Sequence, residues 1–119
     1  MTADPQQQAI EFRHCYGVTN TPDNTEMQLR LIQEEFHEFV SEDDPANEPY
    51  ENELKELADL VYVCFQYAEN LEWDLITALH RVHKSNMSKL GPDRKPIRRP
   101  DGKILKGPNY QPPNLSDLV

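Results

Sequence analysis

The chain has 119 residues, 21 Asp/Glu against 12 Lys/Arg and a formal charge of −9. That length suits one domain rather than two, and an acidic surface of this strength argues against a general nucleic-acid-binding role, which needs clustered cations. No amino-terminal apolar stretch reads as a signal peptide and no apolar run is long enough for a membrane span, so the expectation is a soluble, cytoplasmic protein.

The charge is unevenly spread. Residues 1–90 carry 6 Lys/Arg and 18 Asp/Glu, whereas residues 91–119 carry 6 and 3. The expected organisation is therefore an all-α core over 1–90 followed by a basic, Pro/Gly-rich tail over 91–119 belonging to the same domain. Cys15 and Cys64 lie far apart with no CxxC pair. Both sit in apolar helical patterns and read as reduced, buried thiols.

A first helix is expected from Pro5 to Tyr16, with Asp4 as N-cap and Gly17 as stop. Its apolar stripe is Ala9, Phe12 and Tyr16, with Ile10 nearby. Phe12, Tyr16 and Trp73 are candidates for stacking on a ligand ring, though such residues are more often core. A second helix is expected from Pro22 to Val40, capped by Thr21. At 100° per residue, Leu29, Ile32, Phe36, Phe39 and Val40 form one apolar face and Glu26, Arg30, Gln33 and His37 a solvent side. Glu34, Glu35 and Glu38 fill a third arc, continuing the line of Met27 and Leu31.

Residues 41–47 read as a loop. A third helix is expected from Pro49 to Asn70, with Leu54, Leu57, Val61, Cys64, Phe65 and Ala68 as its core stripe. Glu56 and Asp59 share the side of Leu60, Val63 and Tyr67. The short connection makes helices two and three an antiparallel hairpin. A fourth helix, from Trp73 or Asp74 to Leu90, places Leu75, Leu79, Val82, Asn86 and Lys89 on one inward face, with His80, Arg81 and Lys84 outward. In the tail, Asp101-Gly102 between Ile97-Arg98 and Ile104-Leu105 suits a small hairpin, against which Pro100 weighs. Two uses are open for Arg98, Arg99, Lys103 and Lys106: binding an anion, or docking on an acidic surface. Tyr110 either stacks on a ligand or pins the tail.

The chemistry lies in the acids. Carboxylates at i and i+3 project to one side of a helix, and Glu35/Glu38 and Glu56/Asp59 both satisfy that spacing. Two such pairs on facing helices suit Mg²⁺, which takes oxygen ligands and keeps part of its shell for water and phosphate. Glu34 is placed for a further ion or for orienting water. Charge clusters on helices are commonly just solvated faces, and here the shared arcs with apolar residues favour the metal reading.

Glu34-Glu35-x-x-Glu38, seventeen intervening residues and Glu56-Leu-Ala-Asp59 resemble the EExxE…ExxD signature of the MazG-like all-α nucleotide pyrophosphohydrolases, whose relatives include the dimeric dUTPases and dCTPases. Lys84-Ser85-Asn86-Met87-Ser88-Lys89 matches their downstream substrate segment, and Asp101-Gly102-Lys103 with 106–110 is similar to small single-domain phage members. The resemblance covers roughly residues 25–115. It implies an antiparallel four-helix bundle with an irregular tail. It also implies Glu34, Glu35, Glu38, Glu56 and Asp59 as catalytic metal ligands for two or three Mg²⁺, with Mn²⁺ as substitute. Asn86, Lys89, Lys106, Tyr110 and Phe12 would meet substrate. The implied reaction is hydrolysis of a nucleoside triphosphate, a purine such as dGTP or GTP, to monophosphate and pyrophosphate by a homodimer or homotetramer.

Two other classes compete. Glu34-x-x-His37 and Glu11-x-x-His14 have the spacing of di-iron helical bundles, although His37 falls on the solvent side. A non-catalytic helical dimerisation or regulatory module with an acidic face is the third reading. His80-x-x-His83 lacks the further ligands a zinc site needs.

Overall fold

A computed structural model describes residues 4–42 and 50–119. The protein is all-α. Four helices, α1 (Pro5–Cys15), α2 (Pro22–Ser41), α3 (Glu51–Asn70) and α4 (Leu75–Met87), are followed by the short strands β1 (Ile97–Arg98) and β2 (Ile104–Leu105). The chain forms two compact units, Met1–Asp74 and Leu75–Val119, so α4 belongs with the tail. The expected loop over 41–47 and the Pro49 start of α3 fall largely outside the described residues.

The helix starts follow the capping residues. Asp4 accepts a hydrogen bond from the Gln7 backbone N–H at 2.8 Å, and Thr21 accepts one from Asn24 N–H at 3.1 Å, each with proline at the first helical position. α1 and α3 end alike. Val18 N–H bonds to Arg13 C=O and Trp73 N–H to Ala68 C=O, both at 2.9 Å, which is the Schellman pattern. The residue between needs a left-handed backbone. Gly17 supplies it at φ 65°, whereas after α3 the position is held by Glu72 at φ 58°.

In the first unit, α3 packs against both α1 and α2. Asn70, at the end of α3, donates to Thr21 C=O at 3.3 Å and to Thr25 Oγ1 at the start of α2. Glu35 and Glu38, late in α2, meet Glu56, early in α3. The two helices therefore run antiparallel, as their short connection predicts. α1 is tied in by Arg13, only 6% exposed. Its Nη2 donates to Asn20 Oδ1 at 2.7 Å and Asn70 Oδ1 at 2.6 Å. Burial holds the guanidinium's pKa below its ordinary value, an effect the nearby Glu69 carboxylate opposes.

The buried sides differ from the expected ones. Ala9, Phe65 and Ala68 are buried as expected, but Leu29, Phe36, Val40, Leu54, Leu57 and Val61 are exposed, Phe36 at 56% and Leu54 at 67%. The interior between α2 and α3 is instead the acid-bearing side. Leu31, Leu60, Val63 and Tyr67 are half-buried there, and Gln28 and Gln66 are buried. Both helices are apolar on two sides, so periodicity alone does not say which side the hairpin encloses. In α1, Tyr16 and Ile10 are likewise exposed, with Arg13 buried in their place. Cys15 is exposed and Cys64 half-buried, both unpaired, which corrects the expectation of two buried thiols.

The second unit is a helix with a strapped tail. α4 ends at Met87, short of the expected Leu90. Its last turn is finished by Ser88 N–H, which bonds back to Lys84 C=O at 3.1 Å. The face holding the tail is Arg81, Ser85 and Ser88. Ser85 Oγ donates to Gln111 C=O at 2.7 Å, Ser88 Oγ accepts from Gln111 N–H at 2.9 Å, and Arg81 pairs with Asp117 and donates to Asn114 C=O. Leu79 and Asn86, expected inward, are exposed, while Arg81, expected outward, is not fully exposed. The tail comes close because Gly107 has no side chain. Its N–H reaches Lys89 C=O at 2.9 Å, and a Cβ there would lie 2.7 Å from that oxygen. The hairpin forms as expected, Ile97 opposite Leu105 and Arg98 opposite Ile104. Pro100 is harmless, since it lies in the connection beside Asp101-Gly102 and removes no ladder donor.

Candidate metal centre

The site is built from one turn of each of two antiparallel helices in the first unit. Glu35 and Glu38 are i and i+3 on α2, and Glu56 comes from α3. One carboxylate oxygen from each lies within 4.8 Å of the others. Glu38 is exposed; Glu35 and Glu56 are partly enclosed. Oε2 of Glu35 and Oε2 of Glu56 are each buried without a hydrogen-bond partner. An orphaned buried carboxylate oxygen is costly, and two beside a third carboxylate more so.

The electrostatics report the same strain. The Glu35 carboxyl is pushed above its ordinary range, chiefly by burial, then by Glu38, which also shares a hydrogen bond with it, and then by Asp59 and Glu56. Asp59 therefore acts on the cluster, but its own Oδ2 accepts a hydrogen bond from Lys55 Nζ at 2.8 Å. Lys55 also lies 3.6 Å from Glu56 Oε1. Lys55 and Asp59 are i and i+4 on α3, a pairing whose spacing is plain in the chain.

The donor set fits a hard divalent cation. The ligands are all oxygen, the unpartnered atoms are anionic, and one side of the group is open to water. Glu35, Glu38 and Glu56 would hold the ion, with Asp59 at the margin. Glu34 is exposed and is not one of the three clustered glutamates. No histidine joins an acidic group among the described residues. His14 and His37 are both exposed, and neither belongs to the glutamate group.

The remaining candidates each have their own surroundings. Phe12 stacks edge-on against Tyr62 of α3 at 5.8 Å and tilted against Tyr16 at 4.5 Å, bordering a cleft of about 390 Å³ with Gln8, Glu11 and Cys15. Trp73 packs edge-on against Tyr67 at 6.1 Å. Asn86, Lys89, Lys106 and Tyr110 belong to the second unit. There Asn86 is exposed, Lys89 is half-buried, and the Lys106 ammonium stands 4.8 Å over the Tyr110 ring. Neither a protein-family model nor a curated protein sequence matches this chain. No helix among the described residues is long and apolar enough to cross a membrane.

Proposed function

We propose that this protein is a divalent-cation-dependent nucleoside triphosphate pyrophosphohydrolase of the MazG-like type, acting on a purine nucleotide such as dGTP or GTP in the cytoplasm. The reading is carried by the meeting of Glu35, Glu38 and Glu56 with two buried oxygens unpartnered, in the EExxE…ExxD register. Bound Mg²⁺ or Mn²⁺ would supply charge neutralisation for the triphosphate and a lowered pKa for attacking water. The chain's own part is to hold the three carboxylates on facing helix turns, where a bound cation relieves their mutual repulsion. Asp59 lies at the edge of the same group, and the exposed Glu34, which precedes Glu35, keeps the role that the resemblance implies, a further ion or the attacking water. Water attacks the α-phosphorus and the α–β P–O bond breaks, giving monophosphate and pyrophosphate.

The exposed apolar sides of α2 and α3 support a homodimer or homotetramer, since such side chains grouped on a hairpin are more costly in water than against a second copy. Asn86, Lys89, Lys106, Tyr110 and Phe12 keep the substrate roles that the resemblance implies, to be read from the KM of their alanine variants.

The test is a panel of NTPs and dNTPs with Mg²⁺ or Mn²⁺, assayed for pyrophosphate and monophosphate. Turnover should need the metal and stop with chelator. Glu38→Gln and Asp59→Asn should each abolish turnover with the helical circular dichroism unchanged. Folded, metal-binding protein that yields no product from any nucleotide would reject the hydrolase and leave the regulatory module.

A further inference from the structure

The acidic group meets one cation of its own among the ion pairs of the described residues. Lys55 Nζ sits 2.8 Å from Asp59 Oδ2 and 3.6 Å from Glu56 Oε1. Its position follows from the helix. Asp59 is one turn further along α3, and Glu56 is the next residue, so a lysine here spans both. The Lys55 side chain is 66% exposed, the Asp59 side chain 40% and the Glu56 side chain 17%. The ammonium therefore closes the wet rim of the cluster, while Oε2 of Glu35 and Oε2 of Glu56 stay unpartnered inside it.

We infer that Lys55 is a built-in competitor for the divalent cation at Asp59, and that it sets the affinity of whichever ion needs that carboxylate. This rests on the metal-centre reading above but not on nucleotide hydrolysis. Two positive centres at bonding distance from one carboxylate repel, so an ion ligated by Asp59 binds against the ammonium. Glu35, Glu38 and Glu56 can take an ion without disturbing Asp59. The ion that uses Asp59 is thus the weaker one. Because Lys55 is largely in water, its release costs little, and the lysine tunes this affinity without blocking it. Asp59 and, more weakly, Glu56 favour the charged lysine, in keeping with an ammonium held at this rim.

The test is Mn²⁺ binding to the full chain without nucleotide, followed by the electron paramagnetic resonance signal of free Mn²⁺. The proteins compared are wild type, Lys55→Met, Asp59→Asn and the double variant. Lys55→Met should tighten the weaker Mn²⁺ about fivefold, the scale of an exposed ion pair, and should change the Mn²⁺ binding that remains when Asp59 is already Asn by less than about twofold. Lys55→Arg, which keeps the charge and the partner, should bind no more tightly than wild type. Unchanged or weaker binding in Lys55→Met overturns the inference. So does equal tightening in both backgrounds, which would mark a through-space effect of charge. Wild type that binds no Mn²⁺ sinks both this inference and the hydrolase. Metal-dependent turnover without the Lys55 effect sinks this inference alone, and the Lys55 effect without turnover sinks only the hydrolase.

Discussion

Glu35 is a side chain whose charge is costly in the folded protein. Its carboxyl pKa lies above the ordinary 4.5, with burial as the first cause and Glu38 the second. A raised acid pKa means that the folded protein keeps a proton over a range in which the unfolded chain has lost it. The stabilisation is present below the unfolded pKa and is lost as pH rises through the folded one. In metal-free protein, Glu35→Gln should therefore raise the melting temperature at pH 7.5 by a few degrees. The gain should shrink as the pH is brought down toward the ordinary carboxylate range. Mg²⁺ should then stabilise wild type and not the variant. Differential scanning fluorimetry at two pH values, with and without Mg²⁺, reads both effects, and a variant no more stable than wild type at pH 7.5 would contradict them. Arg13 is the opposite case. It is a buried charge fixed by Asn20 and Asn70, and it joins the ends of α1 and α3 where an apolar stripe was expected.

Among the elements, the two Schellman endings invite comparison. α1 stops at Gly17, the residue type that adopts φ 65° without a Cβ penalty, whereas α3 stops with Glu72 at φ 58°. Glu72 is exposed, and its side chain has one long hydrogen bond, from Asn20 Nδ2 at 3.4 Å. Glu72→Gly should stabilise the protein by about 1 kcal/mol, because relief of left-handed strain outweighs the added freedom of the unfolded chain. Thermal or urea denaturation checks it, and a destabilised variant would show that the Asn20 contact matters more than the strain. α4 makes a related point about helix faces. The side of Arg81, Ser85 and Ser88 is claimed by hydrogen bonds from a proline-rich tail, which no hydrophobic period announces.

For the molecule as a whole, the unresolved account is the apolar surface. Leu29, Phe36 and Val40 on α2, and Leu54, Leu57 and Val61 on α3, have the spacing of a core and the exposure of a surface. Phe39, Tyr50, Leu54 and Leu57 also border a shallow hollow of about 220 Å³. The proposed interface with a second copy would reconcile the two observations. Leu54→Glu combined with Val61→Glu should convert an oligomer to monomer, measured by light scattering after size exclusion, with helicity retained. A wild-type monomer at micromolar concentration would remove the interface.

The helix count, the caps at Asp4 and Thr21, the Gly17 stop, the Asp101-Gly102 hairpin and the antiparallel pairing of α2 with α3 were all legible in the chain. Each follows from local chemistry: a side-chain oxygen for a free N–H, a residue tolerant of positive φ, a connection too short for anything but reversal. The i, i+3 acids were legible for the same reason. Which side of α2 and α3 is enclosed was not, because both helices are apolar on two sides and enclosure depends on the partner. The tertiary structure alone separates Glu35, Glu38 and Glu56, which meet across two helices, from Glu34, which stays in water, and from Asp59, which is held by Lys55. Spacing says which acids share a face, but the approach of a second helix decides which of them lose their water.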